Sequence, residues 1–361
     1  MKKSFLIILF SILIINIATS CKTEVAAQLV WNDPPTTADT LYQNPVFEPD
    51  LADPTIIPSA DGWFYAYGTE NDWNKGIHRI VPIIKSKNLT KWEYVTDAFT
   101  TTTKPRWRTD GGIWAPDVTF VNNKYYMYYS ISTWGDSNPG IGLAISDLPY
   151  GPFVDQGKVF DSQSIGVANS IDPCFIQTGL GRNKKSYLFW GSFQGIYGVE
   201  LSADLKSAVG TKFKIAGNAF EATYILERNG YFYYFGSNSS CCEGADSQYH
   251  VTIARSTDIK GPYLDKAGNA ILNNGQEGTL LISGSREWGW VGPGHNGQVI
   301  TDDRGTDFLI YHAIDVKNPL LIGGATRRPL MMDRLKWVEG WPTIEAGKPS
   351  KTLQPAPYIA K

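Results

Sequence analysis

The feature that most constrains the fold of this sequence is a repeat of about 60 residues. Aromatic, strand-like segments recur along the chain, and their centres lie 61, 62, 45 and 77 residues apart. A second motif, a short run that reaches a serine, follows four of these segments. Two independent motifs with one period indicate a repeated structural unit. The segments are centred near Tyr65, Tyr126, Leu188, Tyr233 and Ile310, and the serines are Ser86, Ser146, Ser202 and Ser256.

The repeat predicts an all-β fold. Between the aromatic segments, β-branched and aromatic runs are broken by Gly, Asn, Asp and Pro, which is typical of strands and turns. A period of this length fits the blades of a β-propeller, and five segments indicate five blades with a binding site at one end of the central axis. A β-sandwich would also supply many strands but would not explain the period. We therefore predict a single five-bladed propeller domain over residues 43–361.

The N-terminus has the pattern of an export signal. A basic start and an apolar run over residues 5–17 predict a signal peptide over residues 1–20, too short to span a membrane comfortably. Small residues before Cys21 resemble a bacterial lipoprotein processing site, so we expect a periplasmic or cell-surface protein anchored to the outer membrane or cell surface through lipidated Cys21. The alternative is ordinary secretion after cleavage nearby. Residues 21–42 are polar and contain prolines, and they predict a tether.

Charge and composition favour a neutral ligand. The net charge is −2 with 19% charged residues, so no electrostatic footprint for nucleic acid is present. Aromatic residues make up 13% of the chain, which suits a sugar. Cys174, Cys241 and Cys242 do not make a disulfide framework and show no metal-type spacing. The adjacent pair, Cys241 and Cys242, could form a disulfide or remain two packed thiols.

Polar residues recur at the start of each expected inner strand. The innermost strand of each blade lines the propeller axis, and the segment before each aromatic strand is the candidate for it. Carboxylates that converge there push their pKa values apart, and two such groups are the minimum for hydrolysis of a glycosidic bond. We expect the five residues to meet at one end of the axis: Asp53, Asp117, Asp172, Glu221 and His295.

Each of these residues also has a simpler interpretation. Asp53 and Asp172 precede prolines and could initiate turns. Glu221 could be a solvated edge residue, and Asp117 could hold a loop by hydrogen bonds. His295, which lies between glycines, could be a core histidine. Their joint recurrence at the start of the blades favours the functional interpretation.

Several motifs together resemble glycoside hydrolase family 43, and within it the arabinan endo-1,5-α-L-arabinosidases. The similarity extends from about residue 44 to residue 337, and the Cys-Cys block favours the arabinanase subgroup. The sequence departs from the pattern at Ala52, where many endo-acting members have histidine, and by a second arginine within GATRRPLMMDRLKW (324–337). The motifs are WAPDV (114–118), SIDPCFI (170–176), FEATYIL (220–226), CCEG (241–244), GPGHNGQV (292–299) and YHAID (311–315).

The resemblance implies a five-bladed propeller with an inverting mechanism. Carried over by position, Asp53 is the general base and Glu221 the general acid. Asp172 raises the pKa of the general acid and orients it. His295 lies near a metal ion, usually calcium, in the axial channel, with water completing the coordination shell. No organic cofactor is expected.

The sequence-based hypothesis is therefore hydrolysis of α-1,5-linked arabinofuranosyl bonds in arabinan or arabino-oligosaccharides. Trp114 is the first candidate for stacking on a sugar ring, followed by Phe193 and Trp134, although each could serve only propeller packing. Asp117 is a further candidate for substrate binding. Two alternatives remain: an exo-acting α-L-arabinofuranosidase or β-xylosidase of the same family, and a non-catalytic glycan-binding propeller.

Overall fold

The computed structural model describes residues 40–74 and 76–360, apart from the side chain of Arg182. The expected signal peptide, Cys21 and nearly all of the expected tether lie outside the described residues. No helix among the described residues is both long and apolar enough to cross a membrane.

The described chain forms five antiparallel sheets arranged as the blades of a propeller, as predicted from the repeat. It begins with β1 (Leu41–Tyr42). Blade 1 contains β2 (Thr55–Pro58), β3 (Phe64–Tyr67), β6 (Pro82–Ser86) and β7 (Glu93–Asp97), with the ribbon β4 (Asn71–Asn74) and β5 (Ile77–Arg79) inserted between β3 and β6. Blade 2 contains β8 (Gly112–Val121), β9 (Lys124–Ser132), β10 (Gly140–Ser146) and β11 (Val154–Asp161).

Blades 3 to 5 repeat this order of strands. Blade 3 contains β12 (Cys174–Thr178), β13 (Lys185–Trp190), β14 (Ile196–Leu201) and β15 (Ala208–Ala216). Blade 4 contains β16 (Glu221–Arg228), β17 (Tyr231–Asn238), β18 (His250–Ser256) and β19 (Thr279–Ile282). Blade 5 contains β20 (Trp290–Gly294), β22 (Asp307–Asp315), β23 (Leu330–Val338) and β24 (Trp341–Ile344), and β21 (Val299–Thr301) also pairs with β22. The last strand is β25 (Gln354–Pro355), and the short helices are α1 (Ser162–Ile165) and the 3-10 turns Gly181–Asn183, Gly244–Asp246 and Glu345–Gly347.

The aromatic segments are the second strands of the blades, and their composition follows from packing. Within the described residues, five buried apolar clusters each join two neighbouring blades. Side chains alternate between the two faces of a strand, so Tyr233 and Phe235 pack towards blade 5 whereas Tyr234 packs towards blade 3. Because both faces of the second strand are buried between blades, it needs large apolar side chains on both.

The serine motif marks the end of the third strand. Ser86, Ser146 and Ser256 are the last residues of β6, β10 and β18, and each is buried. In each case the hydroxyl accepts a hydrogen bond from the backbone N–H two residues later. This local bond competes with the ladder of the sheet and starts the turn to the outer strand.

The two ends of the propeller domain meet beside blade 5. Strand β1 pairs with β25, and the Asn44 side chain donates to the Met332 carbonyl (2.8 Å) and accepts from the Met332 N–H (2.9 Å). Leu41 and Tyr42, which the sequence analysis assigned to the tether, therefore belong to the β-structure. From this junction the chain leads along blade 5 to Asp53 at the start of blade 1.

Candidate active site

A residue with a left-handed backbone lies within or next to the inner strand of every blade: shortly before β2 and β12, within β8 and β16, and directly after β20. These residues have positive φ values between 42° and 59°. Such a conformation costs on the order of 1–3 kcal/mol for a residue other than glycine, and it is retained where the surrounding structure fixes it, commonly at functional sites. The five positions are Asp53, Ala115, Asp172, Ala222 and His295.

We call the left-handed residue of each blade the kink. It is an equivalent position in all five blades, and comparison of the polar residues with it corrects one prediction. Asp53, Asp172 and His295 occupy the kink itself, and Glu221 stands one residue before it. Asp117 stands two residues after the kink of blade 2, about 6–7 Å further along an extended strand. The five polar residues therefore do not all meet at one end of the axis.

Four of the five residues line a groove of about 910 Å³ at the end of the axis where the inner strands begin. The acids Asp53, Asp172 and Glu221 are buried, with at most a tenth of their surface exposed. His295 completes the polar part at the axis, and the groove extends over the loops that connect the second and third strands. The three predicted aromatic residues, Trp114, Trp134 and Phe193, also line this groove.

Asp53 is held as an ionised carboxylate. Its Oδ1 lies 2.7 Å from Arg328 Nη1 and 3.2 Å from His295 Nδ1, and its Oδ2 accepts from Thr69 Oγ1 (2.5 Å). Burial alone would raise the pKa of Asp53, but Arg328 and His295 outweigh it and hold that pKa well below its usual range. Its backbone N–H donates to His312 Nδ1 (3.1 Å), which fixes the kinked backbone.

Glu221 has the opposite electrostatic environment. It is the first residue of β16, and its Oε2 accepts a hydrogen bond of 2.7 Å from Ser192 Oγ. No cation pairs with it among the described residues. Burial raises the pKa of Glu221, and the charge of Asp53 adds to this rise. The hydroxyl groups of Ser192 and Tyr249 and the charge of His295 work against the rise without cancelling it. A raised pKa keeps a carboxyl group protonated at a pH where Asp53 is ionised.

Asp172 lies beside Glu221 in the same buried space. Its Oδ2 accepts from the N–H of Ala222, the residue after Glu221 (3.2 Å), and its own N–H donates to Ser130 Oγ (3.0 Å). Burial raises the pKa of Asp172 to about 7 against the lowering effect of His295, and the charges of Glu221 and Asp53 add to this rise. The charge of each carboxylate therefore opposes ionisation of the other.

His295 is the predicted neighbour of a metal ion. Burial would lower the pKa of His295, but Asp53 and Asp172 raise it to about 8. Its Nδ1 faces Asp53, which leaves Nε2 as the ring nitrogen for any other partner. Within the described residues no three His, Cys, Asp or Glu side chains are grouped to hold a metal. This arrangement fits only an ion that keeps most of its water ligands, as calcium with few protein ligands would.

The aromatic residues provide apolar faces along the groove. The ring centroids of Trp114 and Trp134 are 5.6 Å apart, with an angle of 47° between the planes. Trp134 is 79% exposed, which is more than propeller packing would leave. Trp114 stands one residue before the kink of blade 2, the position that Glu221 has in blade 4. Phe193 follows the second strand of blade 3, next to Ser192.

Asp117 lies outside the groove that the other four residues line. Its Oδ2 accepts from the N–H of Phe175 (2.6 Å), and its Oδ1 accepts from Gln298 Nε2 (3.2 Å) and Thr55 Oγ1 (3.4 Å). These partners belong to blades 3, 5 and 1. Burial raises the pKa of Asp117 to about 6. Asp117 thus joins four blades by hydrogen bonds along the channel, which was the simpler interpretation of this residue.

The sequence analysis missed the hydroxyl groups and the arginine that hold the acids. Thr69, Ser192 and Ser237 each follow a glycine at the end of the second strand of a blade. The hydroxyl of Ser237 accepts a hydrogen bond from the N–H of His295 (2.9 Å). The recurring pair Gly-Thr or Gly-Ser was the signal that could have identified them. Arg328 was visible only as one of two adjacent arginines; the other, Arg327, pairs with Glu48.

With Glu221 as the general acid that the resemblance implies, replacing Ser192 with alanine is expected to move the alkaline limb of the pH–rate profile to higher pH. The Ser192 hydroxyl favours the charged form of Glu221, so its loss raises the pKa of Glu221 further. A general acid with a higher pKa stays protonated to a higher pH. Measuring kcat/KM against pH checks this expectation, with Ser202→Ala as the control in the same blade. An alkaline limb that stays in place or moves to lower pH would contradict it.

The chain is similar to a known protein family and to individual proteins. The model of glycosyl hydrolases family 43 matches residues 42–342. The chain is 34% identical to extracellular endo-α-(1->5)-L-arabinanase 1 of Bacillus subtilis, over 81% of this chain and 87% of that protein. It is 32% identical to extracellular exo-α-(1->5)-L-arabinofuranosidase ArbA of Cellvibrio japonicus, over 82% and 86%.

A solved structure agrees with these matches. The structure of Cellvibrio cellulosa α-L-arabinanase complexed with arabinohexaose has a TM-score of 0.69 to this protein, with 29% sequence identity, and the superposition covers 82% of this chain and 96% of that one. The family match spans all five blades and every acid in the groove. The chain therefore belongs to glycosyl hydrolase family 43.

Proposed function

We propose that the protein hydrolyses α-1,5-linked L-arabinofuranosyl bonds of arabinan with inversion at the anomeric carbon. The observation that carries the proposal is the pair of opposed carboxyl environments at one end of the axis. Asp53 is ion-paired with Arg328, whereas Glu221 is buried without a cation partner among the described residues. The substrate class rests on the relatives named above, which act on α-1,5-linked arabinan or carry an arabino-oligosaccharide.

Asp53 acts as the general base in this mechanism. Its low pKa keeps it ionised, and its carboxylate accepts a proton from the water that attacks the anomeric carbon. Arg328 and Thr69 fix the orientation of the carboxylate. Because Arg328 also stabilises the negative charge, it makes Asp53 a weaker base than a free carboxylate while it keeps Asp53 available over a wide pH range.

Glu221 acts as the general acid. Its raised pKa keeps it protonated, so that it donates its proton to the leaving oxygen as the glycosidic bond breaks. Asp172 is the positioning residue for this step. It bonds to the backbone beside Glu221 and, when ionised, its charge disfavours a second negative charge on Glu221.

The arabinan chain lies along the groove and stacks on the aromatic residues. Sugar rings present apolar C–H surfaces that pack against aromatic faces. Trp114 adjoins the acids through the kink of blade 2, and Trp134 extends the apolar surface outward. Phe193 lies next to Ser192 and therefore close to the general acid.

Sizing the products formed from debranched arabinan tests the proposal. Endo action yields a ladder of oligosaccharides, and this is the expected result. Release of monomer alone would instead indicate the exo-acting alternative. Two observations favour that alternative: the similarity to the Cellvibrio japonicus exo enzyme, and Ala52 in place of the histidine of many endo-acting members. Absence of any product would contradict the proposal and support a glycan-binding propeller.

We further propose that a single calcium ion, held mainly by water, lies near His295 in the axial channel. When bound, the ion would supply a positive charge that stabilises the ionised acids around it. His295 Nε2 is the protein atom available to face it. Metal analysis of the purified protein before and after dialysis against a chelator tests this proposal. Less than about 0.1 equivalents of any divalent metal before dialysis, with an unchanged melting temperature after it, would contradict tight binding.

Export and anchoring form a separate proposal. Residues 1–20 direct export, and Cys21 carries the lipid that anchors the protein to the outer membrane or cell surface. The two relatives described above are extracellular by name. We expect the protein to fractionate with membranes and Cys21→Ser to move it to the soluble fraction, whereas Cys174→Ser leaves its distribution unchanged. A Cys21→Ser protein that remains with the membranes would contradict the proposal.

A further inference from the structure

Cys241 and Cys242 are joined by a disulfide bond on the wall of the groove. Of the two alternatives for this pair, the structure therefore forms the disulfide. Both residues are half-buried, and both line the same groove as the three acids. The pair lies in the loop that follows β17 in blade 4. Neither the general acid nor the general base uses it in the mechanism above.

The disulfide lies on the blade that carries the general acid. Glu221 is the register partner of Ser237 across β16 and β17, and the disulfide begins four residues after Ser237. A general acid must lie within hydrogen-bond reach of the leaving oxygen. The sugar that departs with this oxygen is therefore next to blade 4, where the groove surface beyond Glu221 is formed by the disulfide together with Ser240 and Glu243.

The backbone of the disulfide is fixed by hydrogen bonds from two neighbours. Thr326 Oγ1 donates to the carbonyl of Cys242 (2.8 Å), and Ser247 Oγ donates to the carbonyl of Cys241 (3.2 Å). Both polar carbonyl groups are thus engaged by the protein. Apart from the backbone, the pair consists of two adjacent sulfur atoms and their methylene groups, which are apolar.

We propose that the Cys241–Cys242 disulfide is a substrate-contact surface for the leaving-group sugar, on whose apolar C–H face it packs. Sulfur is polarizable and forms only weak hydrogen bonds, so it attracts a C–H face by dispersion without competing for the hydroxyl groups. A ring closed between adjacent residues has few conformations to lose on binding, which lowers the entropic cost of the contact. The inference rests on the proposed function, because that function defines the leaving-group side.

Protection of the disulfide from reduction tests this contact directly. The Glu221→Gln protein is treated with a phosphine reductant and iodoacetamide, with and without arabinohexaose, and alkylation of Cys241 and Cys242 is followed by peptide mass spectrometry. At a ligand concentration about 100-fold above Kd, we expect alkylation to slow at least tenfold. Cys174, which is 5% exposed, is the internal control and stays unmodified. Equal alkylation rates with and without bound arabinohexaose would overturn the inference.

A variant of the active protein provides the second measurement. The double variant Cys241→Ser/Cys242→Ser is expected to raise KM for arabinohexaose about 5–10-fold with a smaller change in kcat, because an apolar contact is lost from binding. Cys174→Ser is the matched control and keeps the wild-type constants. A wild-type KM in the double variant would overturn the inference and leave the proposed function in place. A wild-type protein that neither binds nor cleaves arabinohexaose would overturn the proposed function and the inference together.

Discussion

Replacing Glu221 with glutamine is expected to lower kcat on arabinan by about 10²–10⁴-fold, because the amide cannot donate the proton that the leaving oxygen requires. Glutamine retains the size of the side chain and can still accept from Ser192. We therefore expect the melting temperature to be unchanged or higher, since a buried ionisable group is replaced by one that never carries a charge. Steady-state kinetics together with thermal unfolding check both parts.

The matched control for this change is Glu227→Gln. Glu227 lies on the same strand, β16, but it is exposed, and its carboxylate accepts from Thr178 Oγ1 (2.7 Å). Its replacement should leave kcat and KM as in the wild type. A Glu221→Gln protein with more than about a tenth of the wild-type kcat would remove Glu221 from the role of general acid.

Replacing Asp53 with asparagine should cost both activity and stability. Without a base the attacking water keeps its proton, so kcat falls by about 10²–10⁴-fold. Arg328 then remains as a buried cation without its ion-pair partner, and the free energy of unfolding is expected to fall by about 3 kcal/mol. Kinetics and denaturant unfolding measure the two effects. Glu277→Gln, at an exposed position of the loop that precedes β19, should change neither quantity.

Azide separates the catalytic role of Asp53 from its structural role. In an Asp53→Ala protein, azide can attack the anomeric carbon without transferring a proton, so it restores cleavage and forms a glycosyl azide of inverted configuration. A merely structural loss would not respond to azide. Full activity of a folded Asp53→Asn protein would contradict its assignment as the base.

The architecture could be predicted from the sequence because one physical requirement recurs in every blade. Each second strand is buried on both faces between neighbouring blades, so the aromatic segments around Tyr126 or Tyr233 contain few polar residues. The turn chemistry at Ser86 and Ser146 repeats for the same reason. Because every blade needs the same buried second strand and the same turn, the corresponding residue types recur in the sequence with the length of a blade as their period.

The candidate site could be predicted only in part. The carboxylates Asp53, Asp172 and Glu221 stand out because each precedes an apolar strand. The sequence pattern does not show, however, whether a polar residue stands at the kink itself or one or two residues away from it. That offset places Asp117 along the channel and outside the groove. The aromatic residues Trp114 and Trp134 were recognised from composition and resemblance, and their groove position depends on loop geometry.

The partners of the acids could not be predicted because they come from distant parts of the chain. The Asp53–Arg328 pair joins residues 275 positions apart, and it exists only because blade 5 closes the ring against blade 1. Likewise, Ser192 reaches Glu221 from the preceding blade, 29 residues away. A local pattern of residue types carries no information about which hydroxyl or guanidinium group the closed ring brings to a given carboxylate.

The central claim is that Asp53 activates water while Glu221 protonates the leaving oxygen on the other side of the bond. The configuration of the first product tests it most directly. Proton NMR during hydrolysis of an α-1,5-linked arabino-oligosaccharide should show the β-anomer of the new reducing end first, with the α-anomer growing in later by mutarotation. Initial appearance of the α-anomer would indicate retention and a covalent intermediate, and it would contradict this account.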